Sequence, residues 1–527
     1  MNRRFDLRAT RSINRAHPVA IVLIAAAMIA SSETPVQATP EDLRIELARV
    51  LPSLAERGLS ASVLFAPLDG PDRHGPGPGG DTTGVVAAFA SESRIPASVT
   101  KLITTAAALD LLGPRYHFQT RIARTGPLED GTLQGDLVVI GNGDPFLVSE
   151  RLWMLASQLR LAGVHRVTGR LILDDSAWPP LSDLSSFAGS DRAYAALPSA
   201  LSMNFNAIAF QVTPGRRTGD PVQVRLDPFD LPYLRIDNRL RTGGPGSSVD
   251  WRLDLTGGST TADTTGILST YPRETAVLAG TLPAGMQTFT AYRRAGDPLA
   301  FAGCLLAEFL REAGIEIEGA IVHGPAPPGA AQLLAFDSRP LDELIAGMNR
   351  YSNNFIANQL VVTLGRLQAE VDSLSDQAGT SDVDGPLRHG GAALSAWLQN
   401  RAGCTDSSYF ADGSGLSTAN RTTARTLVEV LSWAWHDLRT QGPFLASLGG
   451  PGQDGTLERR LPGVAGATLR GKTGTLGDSG VSTLAGYLQC GDRTPVAFAI
   501  LMQAHGDAWS VSTMQDLQDR WIEIYAR

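Results

Sequence analysis

Of the forty-five basic side chains in this chain only two are lysines, Lys101 and Lys472, and each falls in a short run of residues that could do chemistry. A guanidinium stays protonated in a protein and cannot act as a base, so the two amines are the residues to follow. Lys101 closes Ser98-Val99-Thr100-Lys101. On a helix, that spacing places the hydroxyl and the amine one turn apart on a shared face. A serine is a poor nucleophile until a neighbouring base takes its proton, and a lysine is such a base only when neutral. Bringing its pKa from about 10.4 to about 7 or 8 requires roughly 4 kcal/mol, which burial and a second cation can supply. Lys472 is the one other lysine available for that role, though an arginine could contribute. Taken alone, the spacing also suits a capping serine beside a surface lysine.

Two further clusters share this chemistry. Ser352-Asn353-Asn354 lies between Met348-Asn349-Arg350-Tyr351 and the apolar Phe355 and Ile356, and adjacent polar side chains in an apolar helical setting are costly to bury unless they face one another or a ligand. A solvated loop, or the register Tyr351-Ser352-Asn353, is equally compatible with the residues. Lys472-Thr473-Gly474-Thr475 reads as strand, where an amine and two hydroxyls would hold a carboxylate and the free backbone edge would pair with an extended peptide. Gly474 would permit close backbone approach. Gly466, Gly471, Lys472 and Thr473 also fit a phosphate-binding loop, but that motif requires a helix after Thr473, and here Gly474, Gly477 and Gly480 lead into another strand. Gly477-Asp478-Ser479-Gly480 reads as a turn.

The elements that must position these residues alternate between helical and β-rich texture. Glu41 to Leu51 is predicted helical, with strands at Ser60 to Ala66 and Val85 to Ala90 and a Gly/Pro-rich loop at 75–80 between them. Pro96 suits the first turn of a helix running through Leu112 to the stop at Gly113-Pro114. From about Tyr116 to Val322 short strands dominate, with a helix near Leu147 to Ala162, another at Leu299 to Ala313, and an apparent linker at 324–329. Helical pattern returns over Leu341 to Leu364, a polar loop spans Asp372 to Gly390, and helices continue to Leu448. Ala467 to Leu476, Val481 to Leu488 and Pro495 to Gln503 alternate as three antiparallel strands, closed by a helix at Val511 to Tyr525. The fold class is therefore α/β and multidomain, one α/β domain split by an inserted β-rich region.

With 43% hydrophobic and 19% charged residues, the 527-residue chain has ample core for several domains. Arg3, Arg4, Arg8, Arg11 and Arg15 precede an apolar run at Val19 to Ala30 and a small-residue site at Val36-Gln37-Ala38. This order reads as an export signal over residues 1–38, and about 12 apolar residues fall short of the ~20 needed to span a bilayer. The expected location is the periplasm, with no transmembrane span in the mature chain. Cleavage after Ala38 removes five Arg, Asp6 and Glu33 and takes the formal charge from −8 to −11, which argues against nucleic acid as a partner. Cys304 reads as core, while Cys404 and Cys490 are the better pair for a disulfide. The scattered histidines give no metal-ligand spacing.

Together, S-x-x-K, S-x-N and K-T-G in this order form the serine acyl-transfer set shared by penicillin-binding proteins and β-lactamases, and both lysines occupy its lysine slots. The chain resembles the low-molecular-mass class C penicillin-binding proteins, D-alanyl-D-alanine carboxypeptidase/endopeptidases. Pro96-Ala97-Ser98-Val99-Thr100-Lys101-Leu102, Gly141-Asn142-Gly143-Asp144-Pro145 and Asp412-Gly413-Ser414-Gly415-Leu416-Ser417 add to the likeness, as do the 254 positions between Ser98 and Ser352. The resemblance implies a penicillin-binding protein/β-lactamase-like transpeptidase domain, an antiparallel sheet flanked by helices, split between 39–115 and 332–527. It implies two nested domains within 116–331, the inner at about 126–197 with Leu197-Pro198-Ser199 near its return.

By that resemblance Ser98 attacks the penultimate D-alanine carbonyl, Lys101 takes its proton, and Ser352 relays a proton to the departing amine. Asn354 would orient Lys101 and the substrate amide. The Ser98 and Thr475 N–H groups would form the oxyanion hole, and Lys472, Thr473 and Thr475 would bind the terminal carboxylate beside Gly474. The implied partners are peptidoglycan stem peptides, with β-lactams as covalent inhibitors and no cofactor. Thr418 departs from relatives that carry arginine after G-L-S. A serine β-lactamase and a non-catalytic peptidoglycan-binding protein are the alternatives. Against the first, this chain shows no E-x-x-L-N element to activate a deacylating water.

Overall fold

Apolar side chains on both faces build the central sheet in a computed structural model of the chain, which describes residues 40–68, 84–178, 190–257, 267–269, 271–374, 385–453, 455–461, 464, 467–506 and 508–527. The export segment 1–38, the Gly/Pro loop at 75–80, Gly466 and most of the polar loop after Asp372 lie outside the described residues. Five antiparallel strands run in the order Ala467–Leu476, Val481–Cys490, Val496–Ala504, Leu59–Pro67, Val86–Ala88. In the Val496–Ala504 strand, Ala497, Ala499 and Leu501 face one hydrophobic layer, while Val496, Phe498, Ile500 and Met502 face the other. A period of two with both faces apolar marks a strand buried on both sides.

The first layer holds the helices Thr100–Leu111, Leu341–Arg350, Asn354–Leu374, Pro386–Asn400 and Ala424–His436. The second holds Pro40–Glu56 and Val511–Ala526, where Phe65 stacks between Phe498 and Tyr525 at centroid distances of 5.5 and 4.6 Å. Fully burying each such ring contributes about 1.5 to 3 kcal/mol.

Between Thr100–Leu111 and Leu341–Arg350 the chain makes a long excursion through four further sheets. A mixed five-stranded sheet runs Ile321–His323, Leu171–Asp174, Leu137–Ile140, Gln119–Arg124, Ala331–Asp337. A four-stranded sheet of two-residue strands lies at 128–129, 132–133, 166–167 and 316–317. The helices Ser149–Leu161 and Pro298–Glu312 share one apolar cluster with these sheets. Two three-stranded sheets complete the excursion, one from Ala207–Thr213, Gln223–Asp227 and Phe289–Arg294, the other from Leu234–Gly243, Asp250–Gly257 and Glu274–Pro283.

Two expectations about this excursion change. The strands expected within an inner unit at 126–197 share sheets with 316–337, and the ladders formed only among themselves lie at 207–294. The Gly/Pro run at 324–329 is not a boundary but a loop joining the two opposite edge strands of the five-stranded sheet. Parallel pairing of strands far apart in sequence erased the cue, because local turn residues do not report which strands meet.

The exit and the return are bonded to each other. Phe118 N donates to Ser338 Oγ at 2.9 Å, Ser338 N to Phe118 O at 2.8 Å, and Leu341 N to Tyr116 O at 2.9 Å. The excursion therefore closes where it opened, and the helix after the return packs beside the helix that carries Lys101. Among the described residues no helix is long and apolar enough to cross a membrane.

Candidate active site

The backbone leading into Ser98 is held in a rare conformation. Ala97 has φ of +49°, a region that non-glycine residues seldom occupy, and strain of this kind collects at functional sites. Its carbonyl accepts Thr100 Oγ1 at 2.8 Å, and the carbonyl of Pro96 accepts Thr483 Oγ1 at 2.8 Å from the neighbouring strand. Gly415, at φ +82°, packs so closely that a Cβ would lie 1.8 Å from Ala97 O. The helix expected to start at Pro96 instead begins with a 3-10 turn, Ala97–Val99, and becomes α-helical over Thr100–Leu111.

Lys101 is fully buried, and its Nζ donates to Ser98 Oγ at 3.0 Å, Asn354 Oδ1 at 2.8 Å and the carbonyl of Ser414 at 2.7 Å. All three acceptors are uncharged. Burial lowers the pKa of this amine far below that of free lysine, and the charge of Lys472 lowers it further against the opposing pull of Asp412. Asp412 is itself buried and engaged, accepting from the backbone N–H groups of Ser414, Gly415 and Ser417 at 2.8, 2.6 and 2.6 Å.

Ser352 also carries a positive φ, +55°, in the turn between Leu341–Arg350 and Asn354–Leu374. Its Oγ accepts Lys472 Nζ at 2.9 Å. Asn353 Oδ1 accepts the N–H of Ile356 at 3.0 Å, a helix-capping contact, and Tyr351 is exposed. The register Ser352-Asn353-Asn354 thus aims Ser352 and Asn354 at the two amines. Asn349 braces the same turn, donating to Thr105 Oγ1 at 3.0 Å and Ser447 Oγ at 2.8 Å, while Thr105 donates to Lys101 O at 2.6 Å.

The strand Ala467–Leu476 forms the edge of the sheet. Lys472 is fully buried in it, also donates to Thr473 O at 2.7 Å, and has its pKa lowered to about 7 by burial. Gly474 is compact by necessity: a Cβ there would lie 2.2 Å from Thr483 Oγ1 and 2.8 Å from Ser98 N. Thr475 is exposed beyond it. A second strand, Val481–Cys490, follows the turn at 477–480, so no helix N-terminus stands after Thr473 to take phosphate.

All eight residues singled out from sequence, Ser98, Lys101, Ser352, Asn354, Lys472, Thr473, Gly474 and Thr475, therefore lie on three elements that meet at one place. Sequence reasoning missed what supports them: the Ser414 carbonyl on Lys101, Asp412 under that loop, Thr483 on Pro96, and the carbonyl of Tyr194, which accepts Asn354 Nδ2 at 3.2 Å from within the excursion. The Asp412-Gly413-Ser414-Gly415 run was the visible signal for the first two. The expected disulfide is absent: Cys404 and Cys490 are free and buried in the separate layers on either face of the sheet.

A serine, two buried lysines and an edge strand on an antiparallel sheet define a serine acyl-transferase of the penicillin-binding type. The sequence matches the D-Ala-D-Ala carboxypeptidase 3 (S13) family over residues 82–523, and the chain belongs to that family. It is similar to a D-alanyl-D-alanine carboxypeptidase of Actinomadura sp. strain R39, at 33% identity over 431 residues, 79% of this chain and 74% of the relative. A D-alanyl-D-alanine carboxypeptidase of Haemophilus influenzae is 25% identical over 414 residues, 77% of this chain and 80% of the relative. The fold is that of penicillin binding protein 4 from Haemophilus influenzae, with a TM-score of 0.68 at 22% identity, covering 92% of this chain and 97% of that one.

Proposed function

We propose that this serine-type D-Ala-D-Ala carboxypeptidase cleaves peptidoglycan stem peptides and their cross-links through an ester on Ser98. Lys101 takes the Ser98 proton as Oγ bonds to the penultimate D-alanine carbonyl. The oxyanion rests on the N–H groups of Ser98 and Thr475. Loss of one such donor costs about 3 to 4 kcal/mol in other enzymes. Collapse breaks the peptide bond, Ser352 passes a proton to the departing amine, and water then hydrolyses the ester. Lys472, Thr473 and Thr475 hold the substrate carboxylate beside Gly474, and Asn354 orients Lys101 and the substrate amide. A strained β-lactam amide would enter the same path and stop at the ester.

The observation that carries this reading is Lys101 Nζ, buried and 3.0 Å from Ser98 Oγ, with only uncharged acceptors around it. The arginine-rich and apolar N-terminal order supports export to the periplasm, where such peptides lie. For the domains we propose a split catalytic body, 39–115 and 338–527, around an excursion whose inner unit is 207–294.

The test is labelling with a fluorescent penicillin together with D-alanine release from a stem pentapeptide. The parent is expected to label covalently and release D-alanine, and Ser98→Ala and Lys101→Arg to do almost neither. Undiminished labelling of Ser98→Ala would remove the assigned nucleophile, and rapid turnover of the penicillin would favour a β-lactamase.

A further inference from the structure

An aromatic hollow of about 450 Å³ lies in the excursion, lined by Tyr194, Tyr292, Trp251, Phe289 and Arg192. It sits where the strands Asp250–Gly257 and Phe289–Arg294 of the two three-stranded sheets meet the short turn Ala193–Ala195. Trp251 and Phe289 pack edge to face at 5.3 Å and form a partly buried base. Above them Tyr194 and Tyr292 are 55% and 54% exposed, a large presentation of ring surface for residues that the core does not need. Folding alone does not require two half-exposed tyrosines around one hollow.

The frame is fixed before any ligand arrives. The side chain of Arg293 is buried and satisfied, donating to Asp191 Oδ2 at 3.0 Å and to the carbonyl of Leu253 at 3.0 Å. Arg294 N donates to Asp191 O at 2.9 Å, so 191–194 is stitched to the strand Phe289–Arg294. Arg192, by contrast, is exposed, and no ion pair holds it among the described residues. The hollow thus offers ring faces, phenol hydroxyls and one free guanidinium on a rigid support.

Its position is what selects the ligand. The carbonyl of Tyr194 accepts Asn354 Nδ2, and Asn354 Oδ1 accepts Lys101 Nζ, so the rim of the hollow stands two hydrogen bonds from the amine beside Ser98. An extended peptide covers ~3.3 Å per residue, so the four stem residues that end at the reacting carbonyl extend ~13 Å from it. At its far end the stem is joined to an amino sugar. Pyranose rings present C–H faces that stack on aromatic rings, while their hydroxyl and N-acetyl groups take hydrogen bonds from phenols and guanidinium. Asp250–Gly257 and Phe289–Arg294 are both edge strands of their sheets, but 191–192 already pairs with Arg293 and Arg294 on the second, and what the hollow presents is side-chain rings.

We propose that the hollow framed by Tyr194, Tyr292 and Arg192 is a saccharide subsite that binds the N-acetylated glycan bearing the stem peptide cleaved at Ser98. The proposal rests on the peptidase reading and names the part of the substrate which that reading leaves unplaced. It makes the enzyme selective for glycan-attached stems over free peptides.

The experiment compares kcat/KM for D-alanine release from a free stem pentapeptide and from the same pentapeptide on its disaccharide, in the parent, Tyr292→Ala, Tyr292→Trp and Arg192→Ala. The expected result is a kcat/KM about tenfold higher for the disaccharide substrate in the parent, carried by KM. Tyr292→Ala should remove that advantage, Arg192→Ala should reduce it, and Tyr292→Trp should keep it. The free-peptide rate and penicillin labelling should be unchanged in all three. Titration with an N-acetylglucosamine tetramer, followed by tryptophan fluorescence, should show saturable binding that Tyr292→Ala abolishes. Equal rates on the two substrates in the parent, or an equal loss on both in Tyr292→Ala, would overturn the subsite. If binding of the tetramer is seen but no D-alanine is released from either substrate, the peptidase reading fails and the saccharide site stands by itself.

Discussion

The two ends of the helix Thr100–Leu111 carry ionisable groups of the sign each end disfavours, and the protein treats them in opposite ways. Lys101 lies in the first turn, where the helix dipole is positive, and Asp110 in the last, where it is negative. At the Asp110 end the conflict is repaired. Arg401 donates twice at 3.0 Å, Arg439 once at 3.1 Å, and Trp397 Nε1 at 3.0 Å. Burial pushes this carboxyl up, but the hydrogen bonds from Arg401, Trp397 and Arg439 outweigh it and hold the group below the usual carboxylate range. At the Lys101 end nothing repairs it. No carboxylate lies within ion-pair distance among the described residues, and Asp412 spends its oxygens on backbone N–H groups. Burial of a charge is thus common to both ends. A missing counter-ion is what separates the reactive end from the structural one.

The sharpest way to break this contrast is to remove each group. Lys101→Met should lower penicillin acylation by at least about 10³-fold, because the serine loses its proposed base. Its resistance to urea at pH 7 should be unchanged or higher, since a neutral buried amine with no ionic partner adds little to the fold. Asp110→Ala should do the reverse, costing about 2 to 3 kcal/mol of stability while labelling continues near the parent rate. If Lys101→Met were as destabilising as Asp110→Ala, the amine would be charged and paired, and the contrast would be wrong.

A smaller loss tests how tightly the edge strand is fitted against the reactive end. Gly474→Ala would bring a methyl into Thr483 Oγ1 and the Ser98 N–H, pushing apart the two backbones proposed to hold the oxyanion. Acylation should fall about 10- to 100-fold. Adding Thr483→Ala should recover part of the stability and little of the rate, since the clash with Ser98 N remains. Full recovery of the rate would show that strand spacing at Ser98 does not matter.

Smaller again is the pH effect. With Lys101 as the proposed base, acylation should be lost as pH falls through its lowered pKa. Lys472, with a pKa near 7, attracts a carboxylate only when charged, so kcat/KM should decline above about pH 7. Lys472→Arg should flatten that alkaline decline, because a guanidinium keeps its charge. The stability sign is the reverse of a salt bridge's: between about 7 and the ordinary lysine value of 10.5 the unfolded chain binds more protons at Lys472 than the folded one, so stability rises with pH across that window. An alkaline limb unchanged in Lys472→Arg would assign it to another group.

How much of this was legible differs between the same two ends. The reactive residues were visible because two lysines stood out against forty-three arginines and their spacings matched a chemistry. The three C-terminal strands were visible because alternation and short turns are local. The strand Leu59–Pro67, which pairs with Val496–Ala504 across more than four hundred residues, had no local sign of its partner. For the same reason the pairing of 166–167 and 171–173 with strands at 316–323 had no local sign. Asp110, Arg401 and Arg439 gave no signal, since each is an ordinary residue on an amphipathic helix or loop until packing brings them together.

The smallest expected effect concerns the cysteines. Cys404 packs in the layer with Trp397 and Leu398, and Cys490 in the layer with Leu488 and Phe498, so the sheet itself stands between the two thiols. A disulfide needs Cα atoms within about 7 Å, which two residues on opposite faces of a packed sheet do not reach. Burial pushes both thiols up, Cys404 beyond the ordinary thiol range with Glu429 adding to the effect, so neither is a ready thiolate. Dithiothreitol should therefore leave the melting temperature unchanged, and iodoacetamide should label the folded protein slowly and the urea-unfolded protein at three positions. A melting temperature that falls on reduction would put a covalent link where the layers imply none, and with it the assignment of Cys404 and Cys490 to opposite faces of the catalytic sheet would fail.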